Sequence, residues 1–182
     1  MSATPVPFAP DTLETIRRAF RFAADRRHDM VTLEHLLRAL VEDPRAQVAF
    51  TALNVDRIQL THDLDEVLDR AHTPVPGTKA VKPESTMGFD RVVERAVVHA
   101  ASSSAREVDS GSLLVFLLQE DESHAAYFLK KQGVNRLRLL KAIAHADPAP
   151  TRVWISSMKR IAPGCFSSAV STCFTRSSKS PR

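Results

Sequence analysis

Few side chains in this sequence have the types and spacing that catalysis or metal binding requires. Glu34-His35 joins a carboxylate to an imidazole, a combination used for acid–base chemistry and for binding metal ions. Adjacent residues of a helix point about 100° apart, however, so these two side chains would not converge on one atom. We therefore expect Glu34 to stabilise a helix start and His35 to lie at the rim. For His28-Asp29, in a polar turn, a surface cation site is possible, but ordinary solvation is the simpler expectation.

Motifs for nucleotide binding, nucleophilic catalysis and disulfide formation are also missing. The five glycines, at positions 77, 88, 111, 133 and 164, belong to no phosphate-binding loop. The sequence contains no G-x-S-x-G nucleophile elbow and no H-E-x-x-H zinc motif. Cys165 and Cys173, the only cysteines, lack the paired short spacing of zinc ligands. We expect no catalytic residues, no cofactor, no bound metal and no ATPase activity.

Charge and composition divide the sequence after residue 146. Residues 147–182 carry six basic side chains and one acidic one, whereas residues 1–146 carry 19 basic and 20 acidic ones. The later segment also holds eight serines, both cysteines and the only tryptophan, and its prolines interrupt any long apolar period. We predict a basic tail that is disordered or irregular. Nucleic-acid binding by this tail is the weaker hypothesis, because the tail has no interleaved aromatic residues.

The sequence favours a cytoplasmic protein without membrane contact. No apolar run approaches the roughly 18 residues of a membrane span. Residues 1–10 lack the basic and then apolar order of a secretory signal. Residues 1–146 contain no cysteine, which fits a reducing compartment.

An internal repeat organises residues 1–146. Residues of the first half that recur 77 positions later include Arg18, Ala19, Ala23, Ala24, Val31, Leu36 and Leu37. Farther along, the offset becomes 79, as in Val55 and Val134 or Leu60 and Leu139. Two copies are too few for a solenoid, so we predict one pseudo-twofold domain whose halves bury their apolar faces on each other.

Each copy predicts four helices, so the predicted fold class is all-α. Thr32 is the expected N-cap of a helix in which four leucines form one apolar stripe: Leu33, Leu36, Leu37 and Leu40. The first repeat covers about residues 11–71, a Pro- and Gly-containing linker covers 72–88, and the second repeat covers about 89–146. Gly133 stands where a left-handed residue would end a helix. No alternating strand pattern is visible.

Three stretches resemble the Clp amino-terminal repeat domain. The first runs from Met30 to Leu40 (MVTLEHLLRAL) and is followed by Asp-Pro; the second runs from Phe89 to His99 (FDRVVERAVVH). The third, EDESHAAYFLK at 120–130 followed by VNRL, is closest to the ClpA-type members of the family. The resemblance covers about residues 12–145 and stops in the tail.

This resemblance implies a domain that receives protein substrates and adaptors. In the family, an ATPase ring unfolds the substrates and threads them into the ClpP peptidase, while the repeat domain sits above the ring on a flexible tether. No ATPase sequence is recognisable in these 182 residues. We therefore expect binding without chemistry, and contact with ClpP only through such a ring. The alternative is a stand-alone regulatory or decoy homologue that competes for adaptors.

The resemblance also implies where a ClpS-like adaptor would dock, namely beside the linker and the first helix of the second repeat. The matching positions are Thr86, Arg91, Arg95 and His99. Arg91 and Arg95 are four residues apart and so share one helix face, which forms a cationic patch for a carboxylate-bearing partner. The alternative is a solvated helix face that is partly compensated by Glu94.

One departure from the wider family concerns substrate recognition. In related ClpC domains both repeats carry a Thr-Glu-His signature whose glutamates recognise phosphoarginine. Here the first repeat has Thr32, Glu34 and His35, which makes Glu34 and His35 a possible substrate groove. The second repeat has Asp-Ser-Gly-Ser at 109–112, without a glutamate. Symmetric phosphoarginine recognition is therefore not expected, and this favours the ClpA type.

Overall fold

Eight helices and two very short strands make up the described part of the chain. The computed structural model describes residues 6–77 and 80–146. In chain order the elements are α1 (Pro10–Asp25), β1 (Met30–Val31), α2 (Leu33–Leu40), α3 (Pro44–Ala52), α4 (Arg57–Ala71), β2 (Glu84–Ser85), α5 (Met87–Ser102), α6 (Ser110–Leu117), α7 (His124–Lys131) and α8 (Arg136–Ala146). The eight predicted helices and the all-α class are thus confirmed for this part of the chain. The predicted tail, 147–182, lies outside the described residues.

Side chains cap the starts of six helices in the described part of the chain. Each N-cap residue accepts a hydrogen bond from the backbone N–H three positions later, which satisfies one of the otherwise unpaired amides of the first turn. These residues are Asp43, Asp56, Thr86, Asp109, Ser123 and Asn135. Thr32 occupies the N-cap position of α2, as predicted, but its backbone N–H donates to Nδ1 of His35 at 3.1 Å.

Helix ends repeat between the two halves as well. Arg27 and Ser104, 77 positions apart, have φ angles of 57° and 55° after α1 and α5. Asn54 and Gly133, 79 positions apart, have φ angles of 55° and 76° after α3 and α7. The left-handed conformation predicted for Gly133 is therefore confirmed, and the same turn recurs at Asn54, a residue type that tolerates it.

The two halves exchange short extended segments that have no visible strand pattern in the sequence. β1 pairs in parallel with β2, and the Thr86 N–H donates to the Val31 carbonyl at 3.0 Å. The same contact recurs 77 positions away, where the Ala9 N–H donates to the Val108 carbonyl at 2.9 Å. Segments of two residues are too short to produce a visible alternation in sequence. Each half thus supplies the extended partner that the other half needs.

Leucines of α2 and α6 form the seam between the repeats. Leu36, Leu37, Leu113 and Leu114 are all fully buried, as the repeat pattern predicts. Every residue of α6 is buried. The two helices contact each other and also the third helix of the opposite repeat, α2 with α7 and α6 with α3. The core is therefore shared between the halves.

Candidate functional site

An open cleft lies between the start of α5 and the connection from α6 to α7. Its volume is about 470 Å³. Residues from three places in the sequence line it: Leu33, Gly88, Arg91, Arg95, Gln119, Glu120, Asp121, Glu122 and Ser123. Both arginines of the predicted adaptor patch thus line one cleft.

Glu120 joins these two arginines. Nη2 of Arg91 lies 2.6 Å from Oε2 of Glu120, and Nη1 of Arg95 lies 2.7 Å from Oε1. The hydrogen bond to Glu120, together with its charge, raises the pKa of Arg91. The side chains of Arg91 and Arg95 are 50% and 42% exposed, whereas that of Glu120 is only 11% exposed. The cluster of Arg91, Arg95 and Glu120 therefore presents two guanidinium groups to solvent. Its formal charge is about +1, because one negative charge is set against two positive ones.

Thr86 fixes the start of the helix that carries both arginines. Its Oγ1 accepts a hydrogen bond from the Phe89 N–H and lies 3.1 Å from the Val31 carbonyl, to which the hydroxyl donates. The Thr86 backbone N–H donates to the same carbonyl. Thr86 therefore fastens the start of α5 to the first repeat by hydrogen bonds to Val31. Gly88, two residues later, lines the cleft.

His99 lies apart from the other three predicted residues. It is 1% exposed, and its ring centroid is 5.7 Å from that of Phe116 on α6. Burial lowers the pKa of His99, against the opposing charge of Asp109. The ring thus packs under α5 and is not part of the surface that Arg91 and Arg95 present.

Glu34 joins the two repeats from the interior. It is 8% exposed, and its Oε1 accepts a hydrogen bond from the backbone N–H of Ala125 at 3.3 Å. His124 Nδ1 lies 3.8 Å from the same oxygen. The carboxylate therefore stabilises the start of α7, a helix of the opposite repeat. Glu34 itself does not line the cleft, although its neighbour Leu33 does.

His35 is fully buried, so the expectation that it lies at a rim is wrong. Because its Nδ1 accepts from the Thr32 N–H, the neutral ring carries its proton on Nε2 and donates to Nδ1 of His28 at 3.0 Å. His28 is 1% exposed, so its expected solvation is wrong too. The rings of His28 and His72 lie 4.9 Å apart between centroids. Burial, followed by the charges of His28 and His72, lowers the pKa of His35 to about 3.

The two repeats differ at the position of the cleft. Asp43 stands 77 residues before Glu120, and its carboxylate is fully buried. It accepts hydrogen bonds from the hydroxyls of Thr15 and Ser110 at 2.8 and 2.7 Å. The connection between α2 and α3 covers residues 41–43, whereas that between α6 and α7 covers residues 118–123. The longer connection makes the second repeat the one with an open charged site.

The family model for the Clp repeat (R) N-terminal domain matches residues 8–132. The chain belongs to this family. A ClpA homolog protein from Fuscovulum blasticum is 41% identical to it over 152 residues, which covers 79% of this chain and 19% of that protein. The chain thus spans about a fifth of the length of this curated relative. The matched region is a Clp repeat domain and includes neither an ATPase nor a protease module.

Solved Clp N-domains have the same fold. The Hsp104 N-terminal domain from Candida albicans aligns with a TM-score of 0.64 and 13% identity, covering 75% of this chain and 89% of that one. The ClpV N-domain in complex with a VipB peptide aligns with a TM-score of 0.58 and 15% identity, covering 82% and 100%. At these identities the comparison establishes the Clp repeat fold alone.

Gln119 and Glu120 are the site residues that the sequence reasoning missed. The carboxylate expected to compensate the arginines was Glu94 on the same helix, whereas Glu120 binds both guanidinium groups from the connection between α6 and α7. One signal could have found it. The offset between the copies changes from 77 to 79 between Leu114 and Val134, which marks an insertion in the connection that carries these residues.

The described part of this Clp repeat domain has no metal centre and no membrane span. Although three histidine rings meet near β1, no group of three or more His, Cys, Asp or Glu residues within 6–77 and 80–146 could hold a metal ion. In the same ranges, no helix is long and apolar enough to cross a bilayer.

Proposed function

We propose that this Clp repeat domain is the substrate- and adaptor-receiving N-terminal domain of a ClpA-type unfoldase subunit. A ClpS-like adaptor docks on the cleft that Arg91 and Arg95 line, at the end of α5 that Thr86 caps, and the domain contributes binding without chemistry. Protein substrates then reach ClpP only through the ATPase ring of the complete subunit. The site of action is the cytoplasm.

The cluster of Arg91, Glu120 and Arg95 carries this proposal. Both guanidinium groups face an open cleft, and each keeps N–H donors that Glu120 does not use. Guanidinium groups bind carboxylates through paired hydrogen bonds, so an acidic side chain of a partner has a specific target here. The identity to a ClpA homolog protein supports the ClpA type. The VipB peptide bound to a ClpV N-domain supports a protein partner for this fold.

The remaining predicted residues act from inside the domain. His99 packs beneath the helix of the two arginines, and Glu34 holds the start of α7, which follows the cleft connection. His35 closes the first turn of α2. In this proposal these three side chains support the docking surface without touching the partner, and Glu34 and His35 do not form an open substrate groove.

Titration of a ClpS-type adaptor against charge-reversed variants tests the proposal. Arg91→Glu removes an attraction and adds a repulsion, so binding should weaken by roughly 1–3 kcal/mol, as for a charge pair at an interface. The matched control is Arg70→Glu on α4, an exposed arginine that does not line the cleft. Equal affinities of the Arg91→Glu and Arg70→Glu variants would place the adaptor elsewhere.

A further inference from the structure

Glu120 holds two long cationic side chains next to each other. Its two carboxylate oxygens each accept one hydrogen bond, from Arg91 at 2.6 Å and from Arg95 at 2.7 Å. Because the carboxylate side chain is 11% exposed, it is held largely inside the protein, and the guanidinium groups are oriented from beneath. Without this carboxylate, two like charges four residues apart on one helix would repel each other.

This arrangement orders both arginines before a partner arrives. Immobilising a long flexible side chain opposes binding, and a side chain that is already held avoids this loss of entropy. The cluster of Arg91, Arg95 and Glu120 has a formal charge of about +1, which suits one carboxylate at the arginines. Asp121 and Glu122 line the same cleft and would repel a second one.

Gln119 adds a donor at the same place. It lines the cleft, and among the described residues its Nε2 is buried without a hydrogen-bond partner. A buried amide nitrogen without an acceptor is unfavourable in the free domain. A carbonyl or carboxylate oxygen of a docked chain would satisfy it.

We propose that Glu120 is a positioning residue and Gln119 a binding residue for one carboxylate-bearing segment of the docked partner. This inference rests on the proposed function and defines the chemistry of its cleft. Glu120 keeps the arginine pair in place, one acidic side chain of the partner binds the free guanidinium donors, and an adjacent oxygen of the partner accepts from the Gln119 amide.

Binding kinetics of the ClpS-type adaptor test the role of Glu120. Glu120→Gln raises the charge of the cluster by one, so association with an acidic partner should become faster at low salt. Dissociation should accelerate more, by about tenfold, because the arginines are no longer held. The matched control is Glu94→Gln, which removes a negative charge from the helix of the two arginines but does not line the cleft. It should speed association and leave dissociation unchanged.

Gln119→Leu tests whether Gln119 binds the partner or only supports the fold. The two roles predict different changes in the melting temperature of the free domain. Removing a buried donor without an acceptor should raise the melting temperature of the free domain, while adaptor affinity falls severalfold. A variant that is both less stable and weaker in binding would assign Gln119 a structural role and overturn that half of the proposal.

The outcomes separate this inference from the proposed function. If Arg91→Glu weakens binding while Glu120→Gln binds as tightly as the unmodified chain or more tightly, Glu120 is a competitor or bystander, and only the inference fails. If neither the unmodified chain nor Glu120→Gln binds the adaptor, the proposed function fails and the inference fails with it. Slower association or unchanged dissociation of Glu120→Gln would also contradict the inference.

Discussion

Two buried histidines make the stability of this domain depend on pH. His28 and His35 lie 1% and 0% exposed near β1, and burial is the first cause of the lowered pKa of each. The folded state therefore favours the neutral rings, whereas in the unfolded chain both titrate near 6.5. Below that pH the unfolded chain takes up protons that the folded chain does not. The stabilisation is thus fully present above pH 6.5 and is lost as the pH falls toward the folded pKa values.

We predict that the free energy of unfolding falls by about 1.4 kcal/mol per pH unit for each such histidine below pH 6.5. His35→Gln should remove one histidine's share of this slope, because glutamine can still accept from the Thr32 N–H at this helix position. Denaturant unfolding at several pH values measures the slope, with His62→Gln on the exposed side of α4 as the control. Identical slopes for His35→Gln and the unmodified chain would refute this role of His35.

Elements of the fold are joined by polar contacts that connect distant parts of the sequence. Asp43 caps α3 and accepts hydrogen bonds from Thr15 of α1 and Ser110 of α6. The helices themselves could be predicted from apolar spacing and capping residues such as Asp56, because those signals are local. The contact between Asp43 and Ser110 spans 67 positions and leaves no periodic trace. The contact of Glu120 with the two arginines could not be predicted for the same reason, because it also joins distant positions of the sequence.

Asp43→Ala should destabilise the domain by about 2–4 kcal/mol, since it removes a helix cap and leaves two buried hydroxyls without their acceptor. The matched control is Asp56→Ala, which removes an exposed cap and should cost about 1 kcal/mol. Denaturant unfolding of both variants decides the matter. Equal losses would mean that Asp43 acts only as a cap and does not connect α1, α3 and α6.

The whole molecule depends on both repeats at once. β1 needs β2 from the far end of the linker, and the segment before α1 needs Val108. The sequence offset predicted the pseudo-twofold pairing and the leucine seam, because identical apolar residues recur in both halves. The exchanged segments and the open cleft of the second repeat could not be predicted, since they depend on how the halves meet and on one short insertion.

We predict that neither half folds alone. Residues 1–75 would expose α2 and lack the partner of β1, so they should unfold without a cooperative transition. In the full chain, Leu37→Ala should lower the free energy of unfolding by about 2–5 kcal/mol, because the side chain is fully buried at the seam. Circular dichroism during thermal unfolding tests both statements. A sharp transition for residues 1–75 would show that the repeats are independent.

Adaptor titration against residues 1–146, alongside the full chain and its Arg91→Glu variant, tests the central claim most directly. The account predicts that residues 1–146 bind a ClpS-type protein as tightly as the full chain, because the cleft lies wholly within them. It also predicts that the full-length Arg91→Glu variant binds more weakly by roughly 1–3 kcal/mol. Loss of binding in residues 1–146, together with normal binding of Arg91→Glu, would contradict the account and assign adaptor binding to the basic segment 147–182.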